Sequence, residues 1–120
     1  MKKILVFLLL VACGERKTET SLSPEDFDSK YKNTPNAILL DVRKEAEVNE
    51  GALPKAQNIV YDDSFGDKLG GLSKETPLFV YCAAGKRSAK AVEILKEKGF
   101  KEVYQLKGGL NAWKEAKMPL

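Results

Sequence analysis

Apolar runs and stretches of helical periodicity alternate along most of the chain. The apolar runs cover residues 37–42, 78–81 and 103–106, residues 57–60 read as a further short strand, and turn-forming residues lie between these stretches and the helical ones. Short continuous apolar runs are typical of strands that are buried on both faces of a sheet. We therefore predict an α/β fold in which a central, mostly parallel sheet carries helices on both faces, as a three-layer sandwich.

The helical stretches have recognisable beginnings and packing faces. Ser23 is suited to cap a helix whose first position is Pro24. A second helix is predicted from residue 87 to 98. A closing helix over 110–117 would pack Trp113 into the core. Helices and strands together account for a single domain over residues 21–120.

Two polar stretches carry weaker signals. Residues 44–50 predict a short charged helix or turn with a mostly solvated surface. Residues 62–71 contain an acidic cluster, but its spacing is not that of a calcium-binding EF-hand loop, so we expect a surface loop.

The first residues differ from the rest of the chain. Two lysines precede an apolar run over 4–12 that ends in a small residue, which is the order found in signal peptides. The run is too short to span a membrane, which takes about 20 residues. We predict a signal peptide over 1–12 and a polar tether over 13–20.

The end of this run, Leu10-Val11-Ala12-Cys13, resembles the lipobox of bacterial lipoproteins. The resemblance implies that Cys13 is acylated and becomes the mature N-terminus. The protein would then be exported to the cell envelope and held on a membrane surface, in the periplasm or on the outer surface, by two or three acyl chains. The alternative is a disulfide between Cys13 and Cys82. We do not favour it, because it would make the one thiol that is well placed for chemistry unreactive.

That thiol, Cys82, directly follows the apolar run 78–81 and precedes the helix predicted from Arg87. Strand ends that face helix starts are where open parallel sheets bind ligands. Helix N–H groups lower a thiol pKa and favour an anion, and Gly85 permits the positive φ of an anion-binding nest. Lys86 and Arg87 add two positive charges within a few residues of the thiol. The alternative is that Cys82 is a small buried hydrophobe.

Asp41 lies near the end of the apolar run 37–42, at the same edge of the predicted sheet as Cys82, and Arg43 follows that run. We favour an ion pair that fixes the turn, and the alternative makes Arg43 part of an anion site. Both residues therefore count as possible supporting residues of the Cys82 site.

Composition narrows the chemistry. The chain has 120 residues and no histidine, which excludes Cys-His and Ser-His-Asp catalysis and histidine metal sites. Two distant cysteines make no zinc motif, so we expect neither a metal nor another cofactor. The net charge is +3, and two of the lysines belong to the predicted signal peptide. Without these two lysines, the net charge of the chain is too close to zero to indicate a nucleic-acid partner. We expect a monomer.

Four motifs in order give the chain a resemblance to single-domain rhodaneses, a family of sulfurtransferases. The resemblance covers residues 20–120 and implies the rhodanese-like fold. Its motifs are residues 39–43 with Glu47 and Gly51, residues 56–59, the loop 81–88, and Gly108-Gly109 with Trp113 and Pro119. The chain departs from the family pattern in the loop 51–56. The family often has Gly-His-Ile-Pro where residues 51–54 read Gly-Ala-Leu-Pro, and Gly-Ala where residues 55–56 read Lys-Ala.

The resemblance implies that a Cys82 thiolate takes the outer sulfur of thiosulfate or a persulfide and passes it to cyanide or a thiol. The partners would be a small anionic sulfur donor and a thiophilic acceptor. The residues that would bind the donor are those of the loop: Ala83, Ala84, Gly85, Lys86, Arg87 and Ser88.

Two other functions remain open from the sequence. Phosphatases and arsenate reductases related to rhodaneses resemble this loop but carry five residues between Cys and Arg, where Cys82 and Arg87 enclose four. A membrane-tethered binding or regulatory module could also keep the fold without catalysis, although the intact cysteine loop argues against that.

Overall fold

The computed structural model describes residues 20–120. The signal peptide predicted over 1–12 and the acylation predicted at Cys13 lie outside the described residues. Five strands and four α-helices follow one another along the described part. In chain order they are β1 (Ser21–Leu22), α1 (Pro24–Lys32), β2 (Ile38–Asp41), α2 (Glu45–Asn49), β3 (Gln57–Asn58), β4 (Leu78–Tyr81), α3 (Lys86–Glu97), β5 (Val103–Leu106) and α4 (Gly109–Glu115).

All five strands pair in parallel in the order β1-β5-β4-β2-β3, which confirms the predicted α/β class. Strand β4 is the middle strand, in register with β2 on one side and β5 on the other. Because parallel strands end at the same edge of a sheet, Asp41 and Cys82 both lie at the carboxyl edge, as the sequence predicts.

The side chains of β4 alternate between two packed layers. Leu78, Val80 and Cys82 face α3, whereas Phe79 and Tyr81 face α1 and α4. The α3 layer is packed by Ala91, Val92 and Leu95 of that helix. The other layer contains Trp113, as predicted, and also Phe27, whose ring centroid lies 5.4 Å from that of Phe79. The sheet is thus covered on both faces.

One strand and one loop of the fold differ from the sequence prediction. The edge strand β1 is not predicted, because two residues have no periodicity of their own and are held by the backbone of β5. The expected surface loop over 62–71 contains a 3₁₀ turn, Phe65–Lys68, and it contributes the buried Phe65 and Leu69 to the α3 layer.

No set of three clustered His, Cys, Asp or Glu side chains suited to a metal ion occurs within residues 20–120. The helices of the same residues are too short or too polar to cross a bilayer.

Candidate active site

Cys82 lies where β4 ends, and the loop that follows it turns directly into α3. Gly85 caps this helix with φ of 103°, the positive value expected for it, and it has no side chain with which to bond the free N–H groups of the first turn. The Cys82 sulfur takes that role. It accepts hydrogen bonds from the backbone N–H groups of Gly85 at 3.1 Å and Ser88 at 3.3 Å.

A third polar contact reaches the sulfur from the Ser88 hydroxyl, whose Oγ lies 3.4 Å from Cys82 Sγ. Both side chains are buried, and Cys82 is only 1% exposed. Burial by itself raises the pKa of the Cys82 thiol. The hydrogen bonds from Ser88 and from the N–H groups of the loop outweigh that effect, so the pKa lies below its ordinary value. The site therefore favours a thiolate without a histidine base.

The first turn of α4 holds the cysteine loop from the other side. Leu110 N–H donates to Cys82 O at 2.8 Å, and Asn111 N–H donates to Ala83 O at 2.9 Å. Gly109 makes this approach possible, because a Cβ on it would lie 2.6 Å from both loop carbonyl oxygens. The Gly108-Gly109 motif is thus a packing requirement of the cysteine loop as well as a chain turn.

The two cations of the loop have different surroundings. Arg87 binds Glu47 of α2 through two hydrogen bonds, Nη1 to Oε1 at 2.7 Å and Nη2 to Oε2 at 3.0 Å. Chiefly because of the bond from Arg87, the pKa of Glu47 falls to about 2. Lys86 is exposed and has no carboxylate partner among the salt bridges of residues 20–120.

This pairing differs from the expectation that residues 44–50 form a mostly solvated surface. Glu47 is half-buried, and its carboxylate offsets the charge of Arg87 beside the thiol. Of the two loop cations, Lys86 is thus the one whose charge remains available to an incoming anion.

Asp41 and Arg43 form the buried ion pair that we favour from the sequence. Arg43 Nη2 lies 2.6 Å from Asp41 Oδ2, Nε donates to the same carboxylate, and Nη2 also donates to Gly51 O at 2.7 Å. The guanidinium is therefore fully engaged in holding the loop after α2. The structure does not bring Arg43 to the thiol as a free anion-binding group.

Hydrogen bonds to Tyr81 and to the backbone of Asp41 and Arg43 hold the loop whose sequence departs from the family pattern. The Tyr81 hydroxyl accepts a hydrogen bond from Leu53 N–H at 3.0 Å. Burial, together with a hydrogen bond to Asp41, raises the pKa of Tyr81 above its ordinary value. Asn58 Nδ2 donates to Asp41 O at 2.7 Å and to Arg43 O at 3.0 Å. Residues 51–58 are thus tied to β2 and β4 despite the substitutions at 51–56.

One polar residue that the sequence analysis does not single out reaches the cysteine loop. Gln105 Nε2 lies 2.7 Å from Gly85 O and 3.0 Å from Ser88 Oγ. A signal for it exists, because Gln105 is the one polar residue in the apolar strand β5. For Glu47, by contrast, the sequence pattern does not distinguish a paired carboxylate from a solvated one.

A groove of about 480 Å³ lies on the other side of the sheet from the thiol. It is lined by residues that include Phe27, Tyr31, Leu53 and Trp113, which belong to the α1 and α4 layer. Because Cys82 packs in the α3 layer, this groove does not lead to its sulfur.

Comparison with known proteins agrees with the fold. The family model described as "Rhodanese-like domain" matches residues 23–116. A rhodanese-related protein from Thermoplasma volcanium is 30% identical, with a TM-score of 0.73 and coverage of 83% of this chain and 95% of the other. The chain belongs to the rhodanese-like family.

Two curated relatives differ in what they are called. A sulfurtransferase from Allochromatium vinosum is 26% identical over 99 residues, which are 82% of this chain and 92% of the relative. A tRNA uridine(34) hydroxylase from Pelagibacter ubique is 35% identical over 112 residues, which are 92% of this chain and 37% of the relative. The chain thus spans little more than a third of that hydroxylase. Both relatives are named as enzymes.

Proposed function

We propose that this protein is a sulfurtransferase that carries sulfane sulfur on Cys82. The observation that carries the proposal is the convergence of three polar groups on one buried sulfur, Gly85 N at 3.1 Å, Ser88 N at 3.3 Å and Ser88 Oγ at 3.4 Å. Charge-assisted hydrogen bonds of this kind stabilise a thiolate, which is the reacting form of cysteine.

In the first step the Cys82 thiolate attacks the outer sulfur of thiosulfate. A new S–S bond forms, the original S–S bond breaks, and its electron pair leaves with sulfite. In the second step cyanide or a thiolate attacks the outer sulfur of the persulfide, and the electron pair of the S–S bond returns to Cys82. Sulfur is transferred without an external oxidant or reductant.

A stabilised thiolate serves both steps. It is ionised before the donor arrives, so the first step needs no general base. In the second step Cys82 is the leaving group, and thiols of lower pKa leave faster. Lys86, at the start of α3, supplies exposed positive charge for a dianionic donor.

Phosphoryl transfer fits the surroundings of Arg87 less well. An oxyanion would need the guanidinium, whose two terminal nitrogens are already bonded to Glu47. The loop is also one residue shorter than that of the related phosphatases. Purified protein should therefore transfer sulfur from thiosulfate to cyanide and leave aryl phosphates and arsenate unchanged. Cys82→Ser should abolish the transfer, whereas Cys82-dependent hydrolysis of aryl phosphates without sulfur transfer would contradict the proposal.

The Pelagibacter ubique relative raises a second candidate, an action on uridine in tRNA. The likeness to that relative is limited to a stretch of 112 residues, 37% of its length. The two candidates separate in one experiment, in which uridine-34 modification is measured in tRNA from cells with wild-type or Cys82→Ser protein. A modification that depends on Cys82 would favour the second candidate, and unchanged tRNA beside active sulfur transfer would favour the first.

We also propose that the protein is lipid-anchored at Cys13 in the bacterial cell envelope. The lipobox-like sequence at residues 10–13 supports this. Cys13→Ala should give an unprocessed precursor that incorporates no labelled fatty acid. Labelling that persists in this variant would refute the anchor and leave the sulfur chemistry untouched.

A further inference from the structure

The Ser88 hydroxyl can donate its single proton to one of two nearby acceptors. Its Oγ lies 3.4 Å from Cys82 Sγ and 3.2 Å from Gly85 O. Only the first choice stabilises a thiolate or assists its departure from a persulfide. The reactivity of the Cys82 sulfur therefore depends on the groups that orient the Ser88 O–H.

The carbonyl of Gly85 already has two other donors. Ala89 N–H donates to it at 3.1 Å within α3, and Gln105 Nε2 donates at 2.7 Å. A carbonyl oxygen has two lone pairs, so these two donors fill its acceptor capacity. The Ser88 proton is thereby directed away from Gly85 and toward the sulfur.

The orientation of the Gln105 amide follows from its neighbours. A backbone carbonyl can only accept, so the NH₂ group must face Gly85 O. The second amide hydrogen is then available to Ser88 Oγ, 3.0 Å away. Ser88 therefore accepts from Gln105, which leaves its own proton for Cys82. The side chain comes from β5, beside β4 in the sheet.

We propose that Gln105 is a positioning residue for the Cys82 sulfur, acting through Ser88. Its amide occupies the competing carbonyl and holds the hydroxyl oxygen, so that the Ser88 O–H points at the thiolate. The proposal concerns the same thiol as the proposed sulfur transfer and rests on that function for its biological meaning. Its test needs no sulfur donor.

The test is the pH dependence of Cys82 alkylation by iodoacetamide in the full-length chain. Because the chain has a second cysteine, Cys13, the reaction is followed by mass spectrometry of the tryptic peptide 75–86, in which Cys82 is the one cysteine. Wild type is compared with Gln105→Leu, Ser88→Ala and the double variant. Tyr104→Phe is the matched control, because Tyr104 is the neighbour of Gln105 on β5 and packs in the opposite layer.

We expect Gln105→Leu and Ser88→Ala each to raise the apparent pKa of Cys82 by about one unit, the effect of losing one hydrogen bond to a charged group. The double variant should show no more than the Ser88→Ala shift, since Gln105 acts through Ser88. Tyr104→Phe should leave the profile unchanged. A Gln105→Leu profile that matches wild type would overturn the proposal, and so would shifts that add in the double variant.

If Gln105→Leu no longer unfolds cooperatively, the isosteric variant Gln105→Glu takes its place in the test. An ionised Glu cannot donate to Gly85 O and would accept the Ser88 proton, so it should raise the Cys82 pKa at least as much. An unchanged profile in a folded Gln105→Glu protein would likewise overturn the proposal. The variants could shift the alkylation profile as expected while wild type transfers no sulfur. That result would refute the proposed function and leave the role of Gln105 standing.

Discussion

Arg87 and Glu47 lie forty positions apart and bind each other through both terminal nitrogens and both carboxylate oxygens, at 2.7 and 3.0 Å. The pair joins the first turn of α3 to the first turn of α2. The same Glu47 carboxylate accepts from Lys44 N–H at 3.0 Å, which closes the N-terminus of α2. The helix that carries the thiol loop is therefore braced by a helix that contributes no fully buried residue of its own.

This pair gives the stability a specific pH dependence. The folded-state pKa of Glu47 is about 2 against an ordinary value of 4.5, so its contribution is present above pH 4.5 and is lost as the pH falls toward 2. Glu47→Gln should lower the unfolding free energy at pH 7 by at most about 1 kcal/mol, because the pair is partly solvated.

Urea unfolding of both proteins from pH 7 to pH 2 measures this effect. The difference between wild type and Glu47→Gln should shrink as the pH falls. Glu45→Gln, an exposed position on the same helix, is the control and should show no such trend. A difference that stays constant across this range would show that the charge of Glu47 is not what matters.

The contact between α4 and the cysteine loop predicts a steric effect at Gly109. Gly109→Ala places a Cβ 2.6 Å from Cys82 O and Ala83 O, at a residue whose φ is +64°. We expect a loss of about 1–3 kcal/mol of stability and slower alkylation of Cys82, because the loop must move.

Gly71→Ala is the matched control, since its Cβ would meet no atom within 4 Å and its φ is not positive. Thermal and urea unfolding should place it within about 0.5 kcal/mol of wild type. Equal behaviour of the two variants would mean that the close approach at Gly109 is not required.

The two arginine pairs should differ sharply in their effect on stability. Arg43 and Asp41 are buried, with side chains 6% and 0% exposed, whereas Arg87 and Glu47 are about one-third exposed. Arg43→Ala leaves the Asp41 charge buried without its partner and should cost about 3–5 kcal/mol. Arg87→Ala should cost about 1 kcal/mol or less. Urea denaturation of both variants checks this, and equal losses would refute the distinction.

The charge of Lys86 should act on donor binding. We expect Lys86→Ala to raise the apparent KM for thiosulfate about tenfold, the effect of one lost charge-assisted contact, with a smaller change in kcat. Lys90→Ala, an exposed lysine one turn further along α3, is the control and should have wild-type kinetics. Unchanged kinetics in Lys86→Ala would make Lys86 a solvated surface residue.

The hydrophobic pattern predicts the sheet well because β2, β4 and β5 are buried and their sequences are almost wholly apolar. It misses β1, whose order comes from β5 and from no pattern of its own. The position of Cys82 at a strand end is also predictable, because local chain geometry sets it. The contacts of Arg87 and Ser88 are not predictable, since Glu47 and Gln105 reach them only after distant elements pack together. Gln105 stands out as a polar residue in β5, but the pattern does not say which groups it contacts.

The persulfide on Cys82 is the central claim, and mass spectrometry tests it most directly. Folded full-length protein is treated with thiosulfate, alkylated and digested with trypsin, and the mass of the peptide 75–86 is measured. We predict that wild type gains the mass of one sulfur atom on Cys82, that cyanide removes it, and that Cys82→Ser gains nothing. A peptide that stays unmodified with thiosulfate in excess, while Cys82 still reacts with iodoacetamide, would contradict sulfur transfer from thiosulfate through this thiol.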